Sequence, residues 1–421
     1  MSEEKGKDEA IPVAPEADKP ESRFKVAWQD IVRGSALVSV LAVVAALLIG
    51  AILIAAINPE VQRTAGYLFA RPQDFLKAVW DAVVNGYLAL FQSAFYNSKR
   101  DTFSAAIRPF TDTLTYATPL IAAGLGVGLA FRAGLFNIGG RGQMIVGAAC
   151  AAWVGFTFDL PVGIHLIIAI AAGIAGGALW GGVAGFLKAR TGAHEVILTI
   201  MLNYIAYYLV SWMLRTPGLL QAPGSVNPKS PPMKETAVLP PLLGSQFSLH
   251  WGFVLVIGAT VLIWWLINRS ALGFEFRAVG FNPDAARTAG INVRRMYVVT
   301  MLIAGALVGL AGANQVLSTQ SGGLTSGVDA GIGFDAITVA LLGRSSPWGI
   351  FAAGILFGAF KAGGFGMQAA EGIPAEIVTI VQSVIVLFIA APPLVRAMFF
   401  LPGRQRAKRK EKLSVTQGAA S

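Results

Sequence analysis

Cysteine occurs once, at Cys150, and histidine three times, at His165, His194 and His250. A lone thiol in an apolar segment closes no internal disulfide, and no His/Cys group has metal-ligand spacing. A disulfide scaffold and a metal centre are therefore not expected. No G-x-x-x-x-G-K-[ST] string is present, so the chain has no phosphate cradle of its own. Gly139-Gly140-x-Gly142 is not a dinucleotide fingerprint, because no strand precedes it and no βαβ unit surrounds it. The scattered acids and three histidines form no triad and no paired-carboxylate pattern, so the chain is not expected to be an enzyme. Charge is scarce as well: Asp, Glu, Lys and Arg make up 13% of 421 residues.

Apolar residues fill the space these absences leave. The chain is 55% hydrophobic, a composition of membrane proteins. Its formal charge of +10 sits largely at chain ends and short connections, as retention of Lys and Arg on the cytoplasmic side requires. No basic, aromatic-studded soluble domain exists to bind nucleic acid. The expected surroundings are membrane lipids, with the plasma (inner) membrane as location.

Residues 1–33 open as a polar, Pro- and Glu-containing tail read as disordered. GSALVSVLAVVAALLIGAILIAAI, Gly34 to Ile57, then carries no charge and is long enough to cross ~30 Å of hydrocarbon. It is too long and too far from the N-terminus for a cleaved signal peptide. Nine further apolar runs follow at about 115–132, 143–158, 162–187, 195–214, 251–267, 298–318, 333–343, 348–367 and 374–395. The reading is an all-α, polytopic transmembrane bundle of about ten spans over 34–395. The short run at 333–343 is a candidate broken or re-entrant helix. Residues 75–96, inside an outer segment 58–114, are amphipathic and are expected to lie at the interface.

Ten spans place both termini in the cytoplasm. They put Arg132, Arg141, Lys188, Arg190, Arg269 to Arg295 and Arg344 inside, and DLPVG, STQSGGLTSGVDAG and MQAAEGIP outside. The Pro-rich PGSVNPKSPPMKETAVLPP suits a translocated loop that cannot be helical. Residues 396–421 form a basic cytoplasmic tail containing Arg404 to Lys412.

Within this apolar frame, GLFNIGGRGQMIVG (Gly134 to Gly147) is a polar knot. It is either a tight inner turn or an irregular segment lining a route, since irregular backbone at membrane depth survives only beside protein or a watery cavity. Phe136, Asn137 and Gln143 are its candidate solute contacts. Asn203, Asn314, Gln315 and Lys361 are further candidates, and Gln382 is also buried by pattern. The bland alternative for each amide is an interhelical hydrogen bond. A charge such as Lys361 within a span faces a cavity or partner, unless its stem snorkels. Phe136, Trp153 or Tyr204 could stack on a base. Small residues such as AGALVGLAGA (Ala304 to Ala313) let helices pack closely.

The longest inner connection, 273–296, holds a capped helix over Pro283 to Ala289. Asn282 is the N-cap, Pro283 suits the first helical position, Asp284 favours the positive helix end, and Gly290 ends the helix in a left-handed conformation. The segment is either an ordinary capped loop or a stiff element on which a soluble partner docks, with Ala285, Ala286 and Arg287 on its surface.

DAARTAG resembles the EAA-x-x-x-G signature of permease subunits of ATP-binding-cassette importers, with Asp284 where Glu is usual. RAVGFNPDAARTAGI, GLFNIGGRGQMIVGA, HEVILTIMLNYIA, LLGRSSPWG and FGAFKAGGFGMQ resemble, in order, strings of the ribose-type and nucleoside-type branch of that family. The resemblance runs from about Tyr116 to Pro393, with Arg141 replacing an acidic residue. It implies a permease subunit that moves nucleosides or related ribose- or sugar-like solutes. ATP and Mg would be bound by a partner ATPase and no cofactor by this chain. It further implies a second permease subunit, expected to be a different chain, and an extracytoplasmic solute-binding lipoprotein. Asn282, Pro283, Asp284, Ala285, Ala286, Arg287 and Gly290 would then contact the ATPase. The rival reading is an ion-coupled secondary transporter, against which the acids' positions at span ends argue.

Overall fold

The computed structural model describes residues 35–399, which are helical apart from their connections; the one β-bridge among them joins Pro241 and His250. The helices are α1 (Ser35–Ile57), α2 (Pro59–Ala65), α3 (Pro72–Ala94), α4 (Phe103–Arg132), α5 (Gly140–Thr157), α6 (Ile164–Thr191), α7 (Glu195–Met213), α8 (Gly252–Arg269), α9 (Ala271–Phe281), α10 (Pro283–Thr288), α11 (Val293–Val316), α12 (Ile332–Leu342), α13 (Pro347–Glu371), α14 (Glu376–Ala390) and α15 (Pro392–Met398). Residues Ala45–Ala391 form one compact unit. The expected tail at 1–33 and the basic run Arg404 to Lys412 lie outside the described residues.

Each of the ten apolar runs forms a helix, but the helices are unequal. Seven are long and apolar enough to cross a membrane, namely those ending at Ile57, Arg132, Thr191, Met213, Arg269, Val316 and Glu371. The run at 333–343 yields only the 11 residues of α12, about 16 Å at 1.5 Å per residue. That is roughly half the hydrocarbon thickness. The last run yields the 15 residues of α14, and α5, which starts in the Gly-rich knot, is 18 residues long. By length and composition, seven helices among the described residues are candidate spans, against the ten expected.

Two other boundaries differ instructively. α4 begins at Phe103, twelve residues before the expected 115, and continues through Pro109 and Pro119. Its early turns carry Arg108 and Asp112, charges that excluded them from an apolar run. The segment expected at the interface is α3, which packs against α4 and α13. Its inward stripe is small (Ala78, Ala82, Gly86 and Ala89) while Leu76, Trp80, Leu88 and Phe91 point outward. The amphipathy is therefore one of size as well as polarity, and α3 belongs to the bundle's flank.

The densest packing joins α6 to α11. Gly173 and Gly177 on α6 meet Gly305 and Gly309 on α11. A methyl group at Gly177 would lie 2.5 Å from Gly309 Cα, so the two backbones can touch only without side chains there. This is the role expected of the small residues in Ala304 to Ala313. Around this pair, α4 buries nearly every residue from Thr113 to Ala130, and Phe276, Val279, Ala286, Val293 and Met296 join the same core.

Candidate solute cavity and coupling helix

The chain between α4 and α5 is irregular from Ala133 to Gly139, and its polar groups are met from inside the protein. Asn137 Nδ2 donates to Gln143 Oε1 and Gln143 Nε2 donates back to Asn137 Oδ1, both at 3.2 Å. Asn137 Oδ1 also accepts from the Gly139 N–H at 2.9 Å. From α7, Asn203 Oδ1 accepts from the Gly142 N–H at 2.8 Å while its Nδ2 donates to Ile138 O at 2.9 Å. Asn137, Gln143 and Asn203 are 0, 1 and 4% exposed. Each of the three amides thus uses a donor and an acceptor on the chain's own backbone or on a neighbouring amide. They pin the irregular segment in place, as buried polar groups must when no water reaches them, and none of them lines the cavity described below.

Phe136 is half-exposed and stacks on Phe131, ring centroids 4.9 Å apart. Trp153 and Tyr204 are exposed, and neither lines the cavity described next. Arg141 lies 3.4 Å from Asp329 and over the Tyr207 ring at 5.1 Å. The cation that replaces the acid of the resembled motif is thus matched by a carboxylate from the connection before α12.

A cavity of about 830 Å³ opens where the C-terminal ends of α3, α11 and α13 meet the N-terminal part of α4 and the start of α12. Gln315 and Lys361 line it. Lys361 Nζ donates to Ala330 O at 3.2 Å and stands 3.9 Å from Asp335 Oδ2. Asn314 is buried one residue behind the wall, its Nδ2 without a partner among the described residues. Gln382 is remote from the lining, donating to Phe357 O at 3.5 Å.

Most of the lining was missed in the sequence. Arg108, Asp112 and Tyr116 enter from α4, Phe365 from α13, and Arg100 and Ser248 from neighbouring segments. Ser248 Oγ donates to Asp112 Oδ1. The available signal was the placement of Asp112 and Tyr116 four apart in a helix, hence on one face, but the span reading began too late to include Asp112.

The connection 273–296 contains two helices rather than one. Ser270 caps α9, its Oγ accepting from the Gly273 N–H at 3.0 Å. Asn282 caps α10 as expected, Oδ1 accepting from the N–H groups of Asp284 and Ala285 at 3.0 and 3.1 Å. At the other end the Ile291 N–H bonds to Ala286 O and the Gly290 N–H to Arg287 O, both at 3.0 Å. With Gly290 at φ +86°, this is a Schellman stop that needs a left-handed residue. Arg287 pairs with Asp284 at 3.2 Å. Every residue from Asn282 to Gly290 is exposed except Ala286, which is 4% exposed and packed into the core. Ala286 therefore anchors the helix, and Ala285 rather than Ala286 faces outward.

Residues 110–390 match the protein family described as branched-chain amino acid transport system / permease component. Among curated relatives, the chain is 40% identical over 331 residues to a guanosine ABC transporter permease protein of Bacillus subtilis, covering 78% of this chain and 90% of the relative. It is 34% identical over 354 residues to a nucleoside ABC transporter permease protein of Lactococcus lactis, covering 78% and 94%. It is 35% identical over 288 residues to a glucose ABC transporter permease protein of Haloferax volcanii, covering 66% and 75%.

Proposed function

The chain belongs to the branched-chain amino acid transport system / permease component family, and from that premise we propose that it carries nucleosides, or related ribose-containing solutes, inward across the plasma membrane. It is the permease of an ATP-binding-cassette system. In this reading ATP and Mg are held by a separate ATPase subunit, a second and different permease chain completes the route, and a solute-binding lipoprotein delivers the solute. The helices that match the apolar runs cross the membrane an even number of times in this reading, which leaves both termini in the cytoplasm.

The observation that carries the reading is the cavity. Its volume falls in the ~300–1,000 Å³ range of small-molecule sites, and its lining mixes aromatic rings with amides, hydroxyls and charges. The bonding groups of a nucleoside or sugar need that mixture. Relatives named for guanosine, nucleosides and glucose support the same solute range. Ion coupling is disfavoured by the pairing of the two carboxylates at and before the start of α12. Asp329 is matched by Arg141 and Asp335 by Lys361, which leaves neither as an unpaired carrier of a proton or Na⁺.

The test is uptake of labelled guanosine and uridine in a strain lacking this chain, with and without a plasmid copy, and with excess ribose and glucose as competitors. Restored nucleoside uptake that resists the sugars supports the reading. Restored sugar uptake alone, or none, contradicts it.

A further inference from the structure

Two helices present matched pairs of side chains to the cavity. On α4, Asp112 and Tyr116 are four residues apart, and on α13, Lys361 and Phe365 are four apart; all four line the same space. Four residues is one helical turn, so each pair shares a face. Across the gap the Tyr116 and Phe365 rings lie with centroids 5.9 Å apart and planes tilted by 39°. The site is thus divided into an aromatic platform with a carboxylate one turn away on one side and an ammonium one turn away on the other.

Resting on the permease reading above, we propose that this platform is the subsite for the base of a nucleoside, and that it makes the chain a nucleoside carrier rather than a carrier of free sugars. A planar base stacks face to face on a π-surface, a broader contact than the C–H face of a free pentose or hexose makes with the same ring. The two rings already touch, so the base stacks on the platform and not between its members. Phe365 is 51% exposed, which leaves ring surface free for that contact. Polar groups suit the rest of the molecule. Asp112, an acceptor only, is oriented by Ser248 and takes hydrogen bonds from ribose hydroxyls. Lys361, a donor only, and the amide of Gln315 meet acceptor atoms on the base edge. Arg100 and Arg108 add donors at the rim.

The inference moves the stacking role away from Phe136, Trp153 and Tyr204. The first is stacked on Phe131 and the other two lie outside the cavity lining. It also assigns a solute-facing role to Asp112, Tyr116 and Phe365, which no sequence motif indicated.

The test is uptake kinetics of labelled guanosine and ribose in the deletion strain complemented with wild type, Phe365→Leu, Phe365→Tyr, Tyr116→Leu or Tyr116→Phe, at matched membrane levels. Loss of a stacking surface is expected to raise the guanosine KM about tenfold in each Leu variant, with maximal rate nearly unchanged. The ring-retaining Tyr and Phe variants are expected to stay within about twofold of wild type. Equal guanosine KM in wild type and both Leu variants overturns the inference while leaving the permease reading intact. So does a fall in maximal rate alone, or the same loss in Phe365→Tyr and Tyr116→Phe as in the Leu variants. A wild-type copy that restores no nucleoside uptake overturns the permease reading instead.

Discussion

A buried imidazole and a half-buried ammonium define the residue scale. His250 is nearly enclosed, and neither ring nitrogen has a hydrogen-bond partner among the described residues. Burial pushes its pKa down from 6.5 to about 4. Because the folded value is the lower one, the unfolded chain binds the proton more readily. The stability linked to His250 is therefore complete above pH 6.5 and is lost as pH falls towards 4. At 1.36 kcal/mol per unit the full loss is on the order of 3 kcal/mol. Thermal unfolding of the detergent-solubilised chain is expected to show a midpoint that drops between pH 6.5 and 4, and His250→Gln to flatten that drop. Lys361, by contrast, has polar company in the cavity wall, Ala330 O and Asp335. Lys361→Met removes the partner of Asp335 and a donor from the cavity wall, so nucleoside uptake should fall about tenfold or more with insertion preserved. Uptake at the wild-type rate at matched membrane levels would count against a cavity-facing role.

At the scale of the element, the proposed ATPase contact is α10. An ATPase movement is passed to the bundle only through a contact that is short, stiff and exposed. α10 meets these conditions through its Asn282 cap, its Gly290 stop and its single inward residue, Ala286. Gly290→Val forces a β-branched residue into left-handed backbone at a cost of at least about 1–2 kcal/mol. Ala285→Trp adds bulk to the exposed side while leaving the core alone. Both are expected to abolish uptake and release the ATPase on purification, with the bundle still inserted. Copurification of the ATPase with both variants and continued uptake would assign the docking contact elsewhere. Ala286→Trp is a different experiment, since it strikes the core and should lower thermal stability first. The start and stop of α10 were legible in the sequence because capping is local chemistry, written within three or four residues. The cavity was not. Asp112 and Tyr116 lie some 250 residues from Lys361 and Phe365 along the chain (361 minus 112 is 249), and only tertiary packing brings those two helix faces together. The amides of Asn137, Gln143 and Asn203 failed for a related reason. Their polarity was visible, but whether it faced a solute or a neighbouring backbone depended on α7 lying beside the irregular segment.

At the scale of the whole molecule, the account is one of division of labour. A glycine-lined seam between α6 and α11 gives the bundle a rigid centre, while the cavity and α10 sit on separate parts of it. Topology is the first check. Reporter fusions at Ser22 and Gln405 are both expected to read as cytoplasmic, and opposite readings would mean an odd number of crossings, with the 11-residue α12 the first to reconsider. Removal of Arg404 to Lys412 should leave uptake largely intact, since a basic run of this kind anchors topology and attracts anionic lipid by roughly 1 kcal/mol per residue. The central claim is that this chain moves nucleosides on energy supplied from outside itself. It is tested most directly by labelled guanosine accumulation in cells whose partner ATPase is disabled at its phosphate-binding lysine, with membrane potential and cellular ATP intact. The account predicts that accumulation falls to the background of cells lacking this chain; accumulation that persists, and is then abolished by a protonophore, would contradict it.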